Sequence, residues 1–407
     1  KPLADRKPGK PMVFFAEKFN DKGRVTMKQK HLVLAILVTI LSILLVSEAM
    51  AADVYKIGGI FSVTGSASFL GDPEKKTMEM MVEQINAAGG IDGHMLEAVI
   101  YDSEGDPAKA VSAVNKLIHK DQVIAIIGPS TTPTTLAIVN FTKRAKVPLI
   151  SCAAGIKITT PVDPWVFKTA QSDLLAVAAV YQQMQATGIK KIGILTVSNA
   201  YGESGKLQLL DQAEKFGIQV ILSESFGDKD TDTTAQLAKI KAAGPDAIVC
   251  WGTNPGPAVV AKNAKQLKID IPLYQSHGVG SPKFIELAGD AAEGNILPTG
   301  KILVTSLLDD SDPQKKVLED YQNTYKNKYS GTVSGFGGYA YDAVKLLAGA
   351  LKGSGGDKEK IRDNLEGTKG YVGATGEFNF TAEDHNGLSP AAFVMVEIKN
   401  GTWTLLK

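Results

Sequence analysis

The sequence predicts an α/β protein with two parallel β-sheets, each covered by helices on both faces. Apolar runs typical of strands alternate with longer segments of helical period from residue 54 onward, and glycine, proline or aspartate separates them. This alternation occurs in two series, divided by a break at residues 165–169. Strands joined by helices pair in parallel and form sheets buried on both faces. The length of 407 residues is enough for about two domains, and the composition, 44% hydrophobic and 21% charged, is that of a globular protein.

The first series contains four strands and three helices. In one of the helices, Met78, Val82 and Ile85 fall on one face, a spacing that fits 3.6 residues per turn. The predicted elements are strands 54–63, 96–101, 123–127 and 147–151, and helices 74–87, 107–120 and 134–145.

The second series is built in the same way and predicts a second sheet. Its elements are helices 173–187, 203–216, 233–243 and 256–267, and strands 191–197, 219–226, 247–251 and 272–275. Residues 312–365 are predicted to be mostly helical, and residues 392–406 to form two closing strands.

Residues 27–51 have the three parts of a secretory signal peptide. A short basic start (MKQKH) precedes 15 uncharged residues, 32–46, and a small-x-small exit ends at Ala51. A transmembrane anchor is the alternative, but it needs roughly 20 apolar residues. We therefore expect export to the periplasm with cleavage after Ala51. We interpret residues 1–26, which are rich in Lys and Pro, as an upstream extension that is not part of the native protein.

Charge, motifs and cysteines exclude several classes of function. The net charge is +1, and residues 52–407 carry 35 basic and 39 acidic residues, so nothing indicates a nucleic-acid partner. GxSxG, HExxH and GxxxxGK[ST] motifs are absent from the sequence, and its histidines lack metal-ligand spacing. We expect no enzyme activity, no cofactor and no metal. Cys152 and Cys250 allow a disulfide after export, but we expect free thiols because the two cysteines lie in different series.

Small and hydroxyl-bearing residues follow two strands of the first series. Ser130, Thr131 and Thr132 come after one strand, and Ala153 and Gly155 come after the next. In open parallel sheets ligands bind at the carboxyl ends of the strands, where helix N-termini and backbone N–H groups point into the crevice. These hydroxyls and amides are therefore candidates for holding a carboxylate. The alternative is that the hydroxyls only cap the following helix, and the sequence leaves both open.

Five short motifs indicate a family. They are residues 85–93 (INAAGGIDG), 101–107 (YDSEGDP), 127–129 (IGP), 147–151 (VPLIS) and 201–202 (YG). In their order and spacing the chain resembles the type I periplasmic solute-binding proteins of branched-chain amino acid ABC importers, such as leucine/isoleucine/valine-binding proteins. The resemblance implies two Rossmann-like lobes with parallel-sheet cores, three crossover strands between them and a ligand cleft between the lobes. Lobe 1 would comprise residues 52–169 and 301–376, and lobe 2 residues 170–300 and 377–407.

The resemblance also implies a function and partners. Proteins of this family bind a small solute in the cleft, close around it by a hinge motion and deliver it to an inner-membrane ABC permease. The solute favours the closed state only through contacts with both lobes. We expect a monomer whose partners are a small-molecule ligand, an amino acid or an organic acid, and the permease.

Site residues follow from the resemblance by position. The carboxylate-binding hydroxyl falls on Thr132, and the backbone contacts fall on Ala153 and Gly155. Ala154, between them, is a further candidate for ligand binding. Gly155 stands where the family often has Thr or Ser, which removes one hydroxyl. Tyr201 matches the cleft tyrosine of the second lobe, where its ring would cover an apolar ligand body. A capping role in a strand-to-helix loop is the alternative for Tyr201.

Two apolar residues complete this set. Phe336 matches an aromatic residue near the cleft, although packing in the core is an equal alternative. Leu70 stands where relatives can carry tyrosine, so that wall of the cleft becomes more apolar.

His277 is the main departure from the family. Amino acid-binding members usually have an acidic residue there, which pairs with the ammonium group of the ligand. Protonated imidazole would repel an ammonium, neutral imidazole offers one acceptor, and burying an ammonium without a counter-charge is costly. The sequence therefore predicts a carboxylate with an apolar or aromatic body, such as an aromatic or short aliphatic acid. The alternative is that His277 caps a turn and another residue supplies the acid.

Three functions are compatible with these observations. The first is the solute-binding component of an ABC importer, and the second is a ligand-sensing module of the same fold that reports to a receptor. The third is a secreted hydrolase, which the missing nucleophile and base disfavour. Export without an attached signalling domain favours the first.

Overall fold

The computed structural model describes residues 54–331 and 333–406, together with Met27. The predicted upstream extension and signal peptide lie outside the described residues, Met27 excepted. None of the described helices combines the length and the apolar character that a membrane span requires. The fold described below belongs to the compact unit Asp53–Lys407.

A five-stranded parallel sheet forms the centre of the first half of this unit. Its strands are β1 (Tyr55–Phe61), β2 (Leu96–Asp102), β3 (Ala125–Ile127), β4 (Leu149–Ser151) and β5 (Val166–Lys168). They are ordered β2-β1-β3-β4-β5, and every neighbouring pair is parallel. All five strands therefore end at the same edge of the sheet.

Helices bury both faces of this sheet. They include α1 (Ser68–Ala87), α2 (Pro107–Asn115) and α3 (Thr132–Ala145). Ile127 packs in one core with Met78 of α1, whereas the adjacent Ile126 packs in another core with Val114 of α2 and Ile138 of α3. Neighbouring residues of a strand point to opposite faces, so the two cores lie on opposite sides of the sheet.

Helix α1 begins six residues before the predicted start. The sequence suggests a start after Pro73 because proline usually breaks a helix, yet Pro73 lies inside α1. Leu70 is buried in the first turns, and a Cβ at Gly71 would lie 2.3 Å from the carbonyl carbon of Ser62. Close packing of these turns therefore outweighs the cost of the proline.

A seven-stranded mixed sheet forms the second half. Its strands are β6 (Lys191–Val197), β7 (Gln219–Phe226), β8 (Ala247–Trp251), β9 (Leu273–Gln275), β10 (Ile296–Thr299), β13 (Val394–Lys399) and β14 (Thr402–Leu405). The order is β14-β13-β10-β9-β8-β6-β7. The strands from β10 to β7 pair in parallel. The C-terminal residues form two closing strands, as predicted, and these pair antiparallel.

Helices also cover both faces of the second sheet. They are α4 (Asp173–Ala186), α5 (Ala200–Ala213), α6 (Thr234–Ala243), α7 (Gly256–Gln266) and α8 (Pro282–Ala288). Val249 of β8 packs with Val180 of α4 and Leu209 of α5, and its neighbour Ile248 packs with Leu237 of α6. The predicted α/β class with two parallel-sheet cores is therefore confirmed.

The region after β10 returns to the first sheet. It contains α9 (Lys315–Tyr329), α10 (Gly335–Leu351), α11 (Lys358–Glu366) and the short antiparallel pair β11 (Tyr371–Val372) and β12 (Glu377–Phe378). Ala340 and Leu347 of α10 share the core of Met78. Helix α10 therefore covers the same face of the first sheet as α1.

Gln171 contacts the chain segments that pass between the sheets. Its side-chain amide donates hydrogen bonds to the carbonyl oxygens of Thr375 and Ala392, each at 3.2 Å. Phe378 and Phe380, which the prediction assigns to lobe 2, pack in the core of the first sheet. The residue boundaries of the lobes stay a prediction, and this packing favours a third crossing that lies beyond residue 380.

Candidate functional site

Loops at the carboxyl ends of both sheets line a cavity of about 520 Å³. The first sheet contributes the loops after β1, β2, β3 and β4, and the second contributes those after β6, β7, β8 and β9. Phe336 and Tyr339 of α10 complete the wall. Because parallel strands end together, residues distant in the sequence meet here.

Nine of the ten predicted site residues line this cavity. They are Leu70, Ser130, Thr131, Thr132, Ala153, Ala154, Tyr201, His277 and Phe336. Gly155 is not among the lining residues, and its amide donates to the Thr132 hydroxyl oxygen at 3.2 Å. A ligand-binding role for the ten residues stays a prediction.

The three hydroxyl residues after β3 have different tasks. Thr131 is the N-cap of α3, and its side-chain oxygen accepts from the Thr134 amide at 3.4 Å. Ser130 donates to the buried carboxylate of Glu74 and accepts from the Ser62 amide at 3.0 Å. The Thr132 hydroxyl accepts from an amide and still has its own proton to donate. The capping interpretation therefore holds for Thr131, and Thr132 is the better candidate for holding an anion.

The loop after β4 contributes backbone donors unequally. The Ala153 amide donates to the Ser151 hydroxyl oxygen at 3.1 Å, and the Gly155 amide is taken by Thr132. Within the described residues the Ala154 amide makes no hydrogen bond. Ala154 is therefore the backbone donor of this loop that is free to meet a ligand.

A buried lysine lies behind this loop. The Lys168 ammonium donates to the carbonyl oxygens of Ala154 at 2.7 Å and Gly155 at 3.4 Å. Burial lowers the pKa of Lys168 to about 8, although the negative charge of Asp173 opposes this shift. Burial raises the pKa of Asp173 to about 6, and Ser204 and Lys168 act against that rise. The lysine fixes the loop and places a positive charge behind the candidate anion site.

Tyr201 depends on a close contact between a helix and a strand. Asn199 caps α5 by accepting from the amides of Tyr201 and Gly202 at 2.9 and 3.1 Å. A Cβ at Gly202 would lie 1.7 Å from the Val197 carbonyl oxygen. Only glycine lets the helix begin this close to the end of β6, which brings Tyr201 to the cavity.

His277 lies among aromatic rings. Its ring makes edge-on contacts with Tyr201 and Trp251, both at 5.9 Å between centroids, and with Phe393 at 5.4 Å. Burial, and secondarily the charge of Lys168, lowers the pKa of His277 to about 3. The imidazole is therefore neutral at physiological pH. Neither ring nitrogen has a hydrogen-bond partner within the described residues.

Sequence reasoning missed several polar groups at the cavity. Asn254, which follows β8, lines the wall and is buried. Its position at the carboxyl end of a strand is the signal that could have identified it. Glu74, Lys168 and Asp173 do not line the cavity, and nothing in the apolar or helical segments that contain them shows that these side chains are buried.

The acidic side chains that line the described cavity are all exposed. Glu104 forms an ion pair with Lys109 at 2.5 Å, and Asp106 caps α2. The Asp228 carboxylate accepts from the side-chain amide of Asn199 at 2.6 Å. Glu74 lies behind Ser130 instead of lining the wall, and burial raises its pKa well above the ordinary value. The cavity therefore offers an ammonium group no buried carboxylate partner.

The cysteines and possible metal sites are the remaining candidates for chemistry. Cys152 and Cys250 are buried free thiols, as expected, and burial raises the pKa of both. Within the part of the chain that the structure describes, no group of three His, Cys, Asp or Glu residues is placed to hold a metal ion.

Residues 54–402 match the sequence model of a family described as periplasmic binding protein. The chain therefore belongs to this family, a class of solute-binding proteins that are found in the periplasm and are not enzymes. The resemblance seen in the sequence motifs is confirmed.

Several relatives carry names that state a ligand. The chain is 29% identical over 343 residues to a leucine-, isoleucine-, valine-, threonine- and alanine-binding protein of Pseudomonas aeruginosa, covering 82% of this chain and 87% of that protein. It is similar to the branched-chain amino acid transporter substrate binding protein LivJ from Streptococcus pneumoniae, solved with isoleucine (28% identity, TM-score 0.77, 87% of this chain and 100% of that one). An extracellular ligand-binding receptor from Rhodopseudomonas palustris HaA2 has 29% identity and a TM-score of 0.81, with 86% of this chain and 99% of that chain covered.

Replacement of His277 tests its neutral state. Histidine in the unfolded chain gains a proton below its ordinary pKa of 6.5, whereas the folded protein resists protonation down to about pH 3. The contribution of His277 to the free energy of unfolding is therefore present above pH 6.5 and is lost as the pH falls. Between pH 7 and 4.5 we expect the wild type to lose about 2 to 3 kcal/mol of unfolding free energy relative to His277→Phe.

Urea unfolding at the two pH values measures this difference. Phenylalanine preserves the ring contacts, and Lys168 and Asp173 are present in both proteins, so their titration affects both. An identical pH dependence of the two proteins would show that His277 is not held neutral.

Proposed function

We propose that this chain is the solute-binding component of an ABC importer, which captures a small organic acid with an apolar body and delivers it to an inner-membrane permease. One observation carries the proposal. The cavity joins a candidate anion-binding loop in one wall to buried, uncharged aromatic and polar groups in the other, and none of the described residues that line it is a buried acid. A solute that contacts both walls would stabilise closure of the two lobes.

The first-sheet wall supplies the carboxylate subsite. The Thr132 hydroxyl and the Ala154 amide donate to the carboxylate. The first turn of α3 adds the positive end of its dipole. The buried ammonium of Lys168 lies behind the same loop and favours a negative charge in front of it.

The remaining wall suits an apolar or aromatic body. Leu70, Phe336 and Phe226 line it, and Tyr201 presents its ring from the second sheet. An α-amino acid would bring an ammonium into a wall where His277 is neutral and the acidic side chains are exposed. The names of the relatives make a branched-chain amino acid the competing ligand class.

The proposed function has a location and a mode of action. Export would follow cleavage after Ala51, and the protein would act as a periplasmic monomer. Lobe 1 (residues 52–169 and 301–376) and lobe 2 (170–300 and 377–407) would close by bending of the crossing segments around Gln171. A sensing module of the same fold is the alternative, and it would also bind ligand without turnover.

Ligand-dependent thermal stability tests the proposed function. Purified protein is heated with branched-chain amino acids, aromatic acids, short aliphatic acids and their amides. A ligand at about 100 times its Kd should add about 2.7 kcal/mol of stability, and we expect this effect from the acids but not from the amides. Mass spectrometry should recover the acid unchanged. Conversion of the acid into a product, or stabilisation by leucine and valine alone, would contradict the proposal.

Thr132→Val tests the carboxylate subsite. The variant keeps the side-chain shape and removes the donor, and a hydrogen bond to a charged group contributes about 1.5–3 kcal/mol. We expect the affinity for a bound acid, measured by calorimetric titration, to fall about 10- to 100-fold.

Thr142→Val is the matched control. Thr142 lies on the same helix, its hydroxyl donates to the Val139 carbonyl oxygen at 3.0 Å, and it does not line the cavity. Its affinity for the acid should match that of the wild type. Equal losses in both variants, or no loss in Thr132→Val, would remove Thr132 from the subsite.

A further inference from the structure

Three buried, uncharged polar side chains lie on the second-sheet side of the cavity. Tyr201 is 6% exposed, and Asn254 and His277 are each 4% exposed. Within the described residues the Tyr201 hydroxyl, both amide atoms of Asn254 and both ring nitrogens of His277 lack hydrogen-bond partners. Buried polar groups are nearly always paired in proteins, so a cluster of unpaired ones at a cavity indicates a ligand.

The three side chains come from adjacent strands. Tyr201 follows β6, Asn254 follows β8 and His277 follows β9, and these strands are neighbours in the order β9-β8-β6. All three residues line the same cavity, and the rings of Tyr201 and His277 are 5.9 Å apart. We call these three side chains the distal patch.

The distal patch and the carboxylate subsite belong to different sheets. Thr132 and Ala154 belong to the loops of the first sheet, whereas every member of the distal patch belongs to the loops of the second. Apolar side chains, including Leu70 and Phe336, complete the cavity wall. The cavity thus carries polar groups from both sheets.

Chemistry limits what the distal patch can recognise. An amide side chain, a phenol hydroxyl and a neutral imidazole each donate and accept one or more hydrogen bonds without carrying charge. A hydroxyl group also donates one hydrogen bond and accepts others, so it matches this mixture. A second carboxylate would use only the donors, and an ammonium would use only the acceptors, each without a counter-charge in the patch.

We propose that the distal patch binds a hydroxyl group of the ligand, so that the natural solute is a hydroxylated organic acid with an apolar body. This inference rests on the proposed function, which supplies the carboxylate end. The inference goes beyond the proposed function because it assigns a ligand-binding role to Asn254 and a second polar group to the solute. The patch thereby acts as a specificity determinant.

Pairs of acids that differ by one hydroxyl test the proposal. Calorimetric titration of the purified protein compares phenylacetate with 4-hydroxyphenylacetate, and 3-phenylpropanoate with 3-(4-hydroxyphenyl)propanoate. A protein site that pairs a hydroxyl rejects the analogue lacking it, because its own polar groups are then left unpaired. We expect the hydroxylated acid of at least one pair to bind about tenfold or more tightly.

Variants of the distal patch should remove this discrimination. Asn254→Leu and Tyr201→Phe should weaken binding of the hydroxylated acid and leave its partner nearly unchanged, so that the difference within the pair shrinks. Tyr201→Phe removes only one oxygen atom, so the test does not depend on whether Asn254→Leu folds. Asn327→Leu, at an exposed position of α9, is the control and should keep the full difference.

The outcomes separate the inference from the proposed function. Equal affinity within both pairs, or a difference that survives both variants, would overturn the distal patch while leaving a carboxylate-binding protein. Binding of leucine without binding of any of the four acids would overturn the proposed ligand class together with the inference.

Discussion

The carboxyl ends of two sets of parallel strands meet at a single cavity, and the chemistry of the molecule depends on this constraint. Thr132 and Ala154 follow adjacent strands of one sheet, while Tyr201, Asn254 and His277 follow adjacent strands of the other. Each sheet therefore contributes one kind of wall. The first offers hydroxyl, amide and helix-terminus donors, and the second offers uncharged groups that both donate and accept.

Buried charge reinforces this division. Lys168, at the end of β5, holds the Ala154 and Gly155 carbonyls, and Asp173, five residues further on, begins α4 beside Ser204. The two charges lie on either side of the passage from the first sheet to the second. The loop after β4, which lines the cavity, is therefore tied to the same segment that would bend during the proposed closure.

Much of the fold and part of the site could be predicted from the sequence. Alternating apolar runs located most of the strands, although not β5 or β10, and the hydroxyl-rich loop after β3 placed Ser130, Thr131 and Thr132 at the cavity wall, because both are local patterns. Helix α1 begins at Ser68 because its first turns pack against Ser62, which no local pattern shows. Asn254 and the Lys168–Asp173 pair were missed for the same reason, since burial and hydrogen-bond partners follow only from tertiary packing. Gly155 was placed at the cavity, yet its amide bonds to Thr132 instead.

Among the described residues that line the cavity none is a buried acid, which is the centre of this account, and removal of one ammonium group from a ligand tests it most directly. Leucine and 4-methylpentanoate differ only in that group, as do phenylalanine and 3-phenylpropanoate. Calorimetric titration of the purified protein with both pairs measures its contribution to binding. Because an ammonium would be buried without a counter-charge, the deaminated acid of at least one pair should bind about tenfold or more tightly than its amino acid. Tighter binding of the amino acid in either pair would contradict the account.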